Sequence, residues 1–169
     1  EPEQLIDIFE CERENFKTLF RFSHDSRQLK GWVDCQSFCG LYPFHPYQLA
    51  LFQDSIQTLS THSVFEGRNM AVGERSMLSV FQDVAKSIKG LPLGRLASFD
   101  QLYDGISGVI RADKKQTMAI AQNQVSDIEL RILKALFLIK WVPQFKSTPR
   151  NISILLIHEP NFDIRCHDQ

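Results

Sequence analysis

Cys35, Cys39 and His45 are the first side chains whose types could support chemistry, because thiolates and imidazoles are common zinc ligands. They lie within eleven positions of each other, but they lack the paired spacing and the fourth ligand that zinc sites usually show. We therefore expect no metal site, and we interpret the two thiols as side chains in a helical turn. His45 has no nucleophile elbow or carboxylate constellation around it, which favours a packed residue over a catalytic one.

Arg75 is the residue best placed to bind an anion. The stretch GERSM puts it in the first turn of a predicted amphipathic helix beginning near Glu74. The helix dipole favours anions there, and a guanidinium can hold a phosphate through two hydrogen bonds. The other interpretation is that Glu74 caps the helix and Arg75 pairs with a nearby carboxylate.

A nucleotide-binding loop of the form G-x-x-x-x-G-K-[ST] is missing from the sequence. Gly90 and Gly94 lie close together, but Arg95 follows them and no Lys-Ser or Lys-Thr pair does. Such a loop cradles phosphates with its backbone N–H groups and its lysine. We therefore expect the chain alone to carry no cofactor and to hydrolyse no ATP.

Basic residues interleaved with aromatic ones near the end of the chain suggest a small nucleic-acid face. Charge on the outer side of a buried helix is also common simply because it is solvated, so both interpretations stay open. The candidate contacts are Lys140, Lys146 and Arg150, beside Trp141 and Phe145.

Composition indicates a folded chain without a strong pull toward polyanions. Hydrophobic residues make up 43% of the 169 positions, with thirteen Phe, and 19 basic residues balance 20 acidic ones. A formal net charge of −1 gives no global attraction to nucleic acid or to an anionic membrane. No apolar run reaches the roughly 20 residues of a membrane-spanning helix. With four cysteines and no signal peptide, we expect reduced thiols and a cytoplasmic location.

Hydrophobic spacing of three and four predicts helices along most of the chain. A capping box, Ser126 and Glu129, begins one of them. The polar run Asp113–Gln124 has no periodicity and is predicted to be a solvated connection. The tail entered at Pro149 is compatible with a helix or a strand, and we favour a helix. The predicted helices cover residues 3–22, 46–59, 74–88, 99–112 and 127–142, with the tail near 149–157.

Gly and Pro divide this pattern at two places. Residues 32–46, WVDCQSFCGLYPFHP, form an elbow, because Gly40, Pro43 and Pro46 interrupt the helical pattern and residues before proline adopt extended geometry. Residues 89–98 contain two Gly and a Pro without periodicity, which marks a boundary between subdomains. We therefore predict one subdomain over residues 1–89 and another over 90–169.

The order of the motifs YPFHPYQ, GERSML, VFQDVAKSI, FDQLYDGISGVI and LRILKALFLIKWV resembles a known arrangement. It is similar to the region after the ATPase core in the large P-loop proteins of bacterial phage-exclusion (BREX) systems, the BrxC or PglY family. The resemblance extends from about Leu41 to Ile157, and the GERSML element is its most specific part.

This resemblance implies an all-α fold, with a helical AAA+ lid-like bundle followed by a partial winged-helix-like module. It also implies that the chain is a piece of a larger antiviral ATPase that binds ATP and Mg²⁺, with Arg75 and Glu74 in a nucleotide-sensing role. Other phage-exclusion proteins would be its partners, DNA is a further candidate, and the parent protein could be a homo-oligomer. The rival interpretation is a helical adaptor that binds a partner in an apolar groove between the helices starting at Pro46 and Glu74.

Overall fold

The computed structural model describes residues 2–66 and 74–160, and within these ranges the chain is all-α. Phe65 and Ile110 form an isolated antiparallel bridge, and a short 3₁₀ helix, Ser107–Val109, follows the fifth α-helix. The predicted fold class, all-α, is confirmed. The α-helices are α1 (Pro2–Leu19), α2 (Cys35–Leu41), α3 (Pro46–Thr61), α4 (Glu74–Ser87), α5 (Gln101–Ile106), α6 (Ala112–Gln122), α7 (Asp127–Ile139) and α8 (Pro149–Leu155).

The first two helices share an aromatic core. Phe38 of α2 is fully buried, and its ring centre lies 5.3 Å from that of Phe9 and 5.6 Å from that of Phe16, both in α1. Helix α2 lies within the elbow, where we expected no more than a helical turn around Cys35 and Cys39. Its capping box, Asp34 with Ser37, fixes its start, but seven residues are too few for hydrophobic spacing to reveal a helix.

Helices α3 and α4 begin where the sequence predicts. Helix α3 starts at Pro46, as expected for a proline in the first helical turn, and it runs two residues beyond the predicted end at Leu59. Helix α4 starts at Glu74 and packs on α5. The contact is tight, because a Cβ atom placed on Gly105 would lie 2.6 Å from Cγ1 of Val80.

The prediction of a solvated connection over Asp113–Gln124 is wrong. Helix α6 occupies Ala112–Gln122, and none of its residues is buried. A helix without a buried face leaves no hydrophobic period to detect. Its sequence, ADKKQTMAIAQ, is rich in Ala, Lys and Gln, which have high helix propensity.

The last two helices follow the predicted signals. Glu129 accepts a hydrogen bond from the backbone N–H of Ser126 at 2.8 Å, as a capping box requires, and a second one from the Ser126 hydroxyl at 2.6 Å. Helix α7 then ends at Ile139, before Pro143. Pro149 opens α8, with Thr148 as its N-cap.

One connected cluster of buried side chains includes residues from before and after position 89. Helix α3 contacts α7 within it. The boundary at 89/90 and the winged-helix-like character of the second segment remain predictions. In the described residues, no helix has the length and apolarity that crossing a membrane requires.

Candidate functional site

The proline elbow is held by a reciprocal cap at the start of α3. The peptide bond between Tyr42 and Pro43 is cis. Nδ1 of His45 accepts a hydrogen bond from the backbone N–H of Tyr47 at 3.2 Å. The side-chain oxygen of Gln48 accepts one from the backbone N–H of His45 at 2.9 Å. The imidazole therefore serves as the N-cap of α3, a role usually filled by Ser, Thr, Asp or Asn.

The same elbow is bonded to the segment that follows α4. The hydroxyl of Tyr42 accepts a hydrogen bond from the N–H of Gly94 at 3.0 Å, and the carbonyl of Pro43 accepts one from the N–H of Ala97 at 2.9 Å. The amide of Gln48, which is buried, donates to the carbonyl of Ala97 at 2.7 Å. The start of α3 is thus fixed against residues 94–97.

His45 is a buried, neutral side chain. Its ring centre lies 4.2 Å from those of Phe20 and Trp32 and 4.8 Å from that of Tyr47. Burial lowers the pKa of His45 to about 3. Because Nδ1 accepts from the Tyr47 N–H, we assign the imidazole proton to Nε2. The prediction that His45 is a packed elbow residue agrees with this geometry.

The metal candidates do not converge. The Sγ atoms of Cys35 and Cys39 lie 3.9 Å apart on α2, whereas His45 is committed to the N-cap of α3. In residues 2–66 and 74–160, no group of three His, Cys, Asp or Glu side chains could hold a metal ion. Cys166 lies outside the described residues, and the absence of a bound metal stays a prediction.

Glu74 and Arg75 lie in the first turn of α4, as predicted. Their side chains are outside the described part of the structure, so both interpretations of Arg75 remain open. The structure does describe how a later residue of α4 packs against its neighbours. Phe81 packs edge to face against Phe44 of the elbow at 4.9 Å and against Phe52 of α3 at 5.6 Å.

Each candidate nucleic-acid contact has an intramolecular neighbour. Nζ of Lys140 lies 4.5 Å from the centre of the Trp141 ring. Nζ of Lys146 lies 3.8 Å from a carboxylate oxygen of Asp25. Arg150 donates hydrogen bonds to the carbonyls of Arg21 and Thr18, at 2.9 and 3.3 Å, just after and within the last turn of α1. All three basic side chains are exposed, and nucleic-acid binding through them remains a prediction.

A buried ion pair between Asp100 and Arg131 was not predicted from the sequence. Arg131 donates to both carboxylate oxygens of Asp100, which is almost fully buried. The two residues are 31 positions apart, so only the tertiary fold joins them. The sequence carries one weak indication that Arg131 has a partner, because this residue lies between two apolar residues of a strongly hydrophobic helix.

An apolar cleft lies beside the elbow, at the end of α4. Its volume is about 390 Å³, and Tyr42, Pro43, Ile88 and Leu91 are among the residues that line it. The groove of the adaptor interpretation was expected between α3 and α4. There Phe52 and Phe81 contact each other. The adaptor function itself stays a prediction.

Comparisons with known proteins leave the motifs as the basis for any assignment. No family model matches the chain, and no solved structure matches it significantly. Any function must therefore be argued from the motifs and from the contacts described above.

Proposed function

We propose that this chain is a nucleotide-sensing helical module of a bacterial phage-exclusion (BREX) P-loop ATPase of the cytoplasm. In this proposal the module lies after the ATPase core, acts as its lid, and does not hydrolyse ATP by itself. The observation that supports it most strongly is the elbow, because its hydrogen bonds hold the start of α3 against residues 94–97. A lid needs such a rigid element to set the angle at which its helices leave a nucleotide-binding core.

The nucleotide sensor in this proposal is Arg75, with Glu74 beside it. Both lie in the first turn of α4, and that helix is braced by the contacts of Phe81 with Phe44 and Phe52. A guanidinium there would reach the γ-phosphate of ATP bound with Mg²⁺ in the core. Charge-assisted hydrogen bonds of this kind contribute about 1.5 to 3 kcal/mol. Lid angle and nucleotide state would be coupled through that contact.

Residues 90–169 correspond in this proposal to the partial winged-helix-like module next to the lid. Lys140, Lys146 and Arg150 are its candidate DNA contacts, and all three are exposed. With a formal net charge of −1, we expect duplex DNA to bind the chain weakly and without sequence preference. Other phage-exclusion proteins are the expected partners, and the parent is a candidate homo-oligomer.

ATP turnover by the isolated chain and by its parent protein tests this proposal. We expect no turnover by the purified chain with ATP and Mg²⁺, because phosphoryl transfer needs the phosphate cradle and the acidic magnesium ligand of a core. The parent should contain G-x-x-x-x-G-K-[ST] before Glu1 and should hydrolyse ATP. Replacing the lysine of that loop with Ala is the control and should abolish turnover. A parent without the loop, or turnover by the chain alone, would contradict the proposal.

A further inference from the structure

A second cleft, which His45 also lines, lies between α1 and residues 28–32. Its volume is about 270 Å³, and we call it the α1 cleft. Its wall is aromatic, because four buried phenylalanines and the half-buried Trp32 line it. The phenylalanines are Phe9, Phe16, Phe20 and Phe22.

The charged side chains that line the α1 cleft are all basic, with Glu14 beside them. Arg13, Lys17 and Arg21 line it, and no acidic side chain is among the described lining residues. Arg13 and Lys17 are one helical turn apart, about 6 Å along the axis, and Arg21 follows the end of α1. Lys17 also pairs with Glu14 at 2.6 Å, but both side chains are more than half exposed, so this pair is weak and easily exchanged. The row is therefore an elongated cationic rim on a chain whose net charge is close to zero.

Two residues that line the cleft, Trp32 and His45, carry an N–H without an acceptor among the described residues. Nε1 of Trp32 is buried and has no hydrogen-bond partner among the described residues. Buried donors without a partner are rare in folded proteins, and a bound ligand or water is one explanation. Nε2 of His45, to which we assign the ring proton, faces Gly31, where a Cβ atom would lie 3.7 Å from it. Because both residues line the cleft, a small movement of either side chain would present a donor to a ligand that carries acceptors.

The packing of Trp32 disfavours a nucleobase as that ligand. Four rings surround the indole, namely Phe16, Phe20, Phe38 and His45, with ring centres 4.2 to 5.7 Å away. Base recognition by stacking needs an open ring face, and these neighbours cover the indole. An aliphatic or aromatic side chain can contact the ring edges instead, and a peptide carbonyl can accept from an indole N–H.

We propose that the α1 cleft binds an acidic peptide segment of a partner protein. A large apolar side chain of the peptide enters the cleft, and its carboxylates lie beside Arg13, Lys17 and Arg21. The elongated rim matches an extended chain better than a single small anion, since successive residues of a strand advance about 3.3 Å. This inference goes beyond the lid proposal and does not depend on it, because it is tested on the chain without nucleotide.

Selection from a library of random peptides displayed on phage tests the chemistry of the ligand. The bait is the full chain with Trp141→Phe. The sequence has two tryptophans, so this substitution leaves only Trp32. We expect the selected peptides to be enriched in Asp and Glu next to Leu, Ile, Phe or Trp. A tryptophan-free synthetic copy of a selected peptide should shift the Trp32 emission on binding, and added salt should weaken it.

Charge reversal tests whether the peptide binds at the α1 cleft. The triple variant Arg13→Glu, Lys17→Glu and Arg21→Glu should bind the synthetic peptide at least about tenfold more weakly. The matched control reverses three exposed lysines elsewhere and should bind within about twofold of the parent chain. Its substitutions are Lys89→Glu, Lys114→Glu and Lys115→Glu. Thermal melts of both variants establish that they are folded.

Trp32→Phe separates binding from structure, with binding followed by calorimetry. The substitution removes the indole N–H and keeps an aromatic ring, so the peptide should bind several-fold more weakly. The free energy of unfolding should not fall through a lost hydrogen bond, because this N–H has no partner in the folded chain. Three results would overturn the proposal: selected peptides without acidic enrichment, no binder above background, or equal binding by the two charge-reversed variants.

Discussion

Arg131 holds both carboxylate oxygens of Asp100, with Nε 3.1 Å from Oδ2 and Nη2 3.3 Å from Oδ1. The same Nη2 donates to the carbonyl of Leu156 at 2.7 Å. One guanidinium therefore joins the residue before α5, the middle of α7 and the end of α8. Because the Asp100 side chain is only 5% exposed, water solvates its carboxylate poorly and Arg131 compensates its charge.

Arg131→Met should lower the free energy of unfolding by about 3 to 5 kcal/mol, because it leaves the buried charge of Asp100 without its partner. Lys134→Met is the matched control. Lys134 lies on the same helix and pairs with Asp104 at 2.7 Å, but Asp104 is 59% exposed, and exposed pairs contribute at most about 1 kcal/mol. Guanidinium chloride titration measures both. Equal losses in the two variants would show that the Asp100–Arg131 pair contributes no more to the free energy of unfolding than the exposed Lys134–Asp104 pair.

Local signals predicted the parts of the fold that depend on neighbouring residues. Pro46, Pro149 and the Ser126–Glu129 box each mark a helix start that the structure has. Helix α6 was missed because it buries no residue, so only propensity, not periodicity, indicated it. The Asp100–Arg131 pair could not be predicted, because its partners meet only through the packing of α5 against α7.

Much of the candidate site was also beyond sequence reasoning. His45 was correctly predicted to be packed, since nothing near it in sequence supports catalysis. That Gln48 would bond to Ala97, 49 positions away, required the fold. The α1 cleft was missed for a different reason. Spacing assigned Phe9, Phe16 and Phe20 to the buried face of a helix over residues 3–22, and all three are buried, although Phe20 lies just after the end of α1. Nothing in that spacing indicated a cleft beside Trp32.

Gly105→Ala should destabilise the chain by about 1 to 3 kcal/mol, the usual range for overpacking. The new methyl group would lie 2.6 Å from Cγ1 and 3.2 Å from Cβ of Val80, so α4 and α5 would have to separate. Gly40→Ala is the control, because nothing lies within 4 Å of its added Cβ and Ala favours a helix by up to about 1 kcal/mol. If chemical denaturation finds both variants equally stable, the close contact between α4 and α5 is absent in solution.

His45 should make stability depend on pH on the acidic side of neutrality. Its folded pKa of about 3 lies below the ordinary value of 6.5, so the unfolded chain binds more protons between these values. The contribution of the neutral His45 ring to the free energy of unfolding is therefore present above about pH 6.5 and is lost as the pH falls toward 3. Between pH 6.5 and 5 the loss should be roughly 1 to 2 kcal/mol.

The comparison for this pH effect is His45→Asn, which keeps a side-chain acceptor at the N-cap and does not titrate. Denaturation of both proteins at several pH values isolates the histidine, since the carboxylates are common to both. The wild type should lose more stability than the variant as pH falls from about 6.5 to 5. Parallel pH profiles would mean that His45 is not buried in its neutral form.

The most direct test of the lid proposal is ATP turnover by the full-length parent protein with Arg75 replaced. We expect Arg75→Ala to lower turnover at least about tenfold, equivalent to about 1.4 kcal/mol. Arg75→Lys should not restore it, because an ammonium lacks the planar fork that holds two phosphate oxygens. The melting temperature of the chain described here should stay nearly unchanged in both variants. Normal turnover, together with a melting temperature several degrees lower, would instead make Arg75 a structural ion-pair residue and contradict the nucleotide-sensing role.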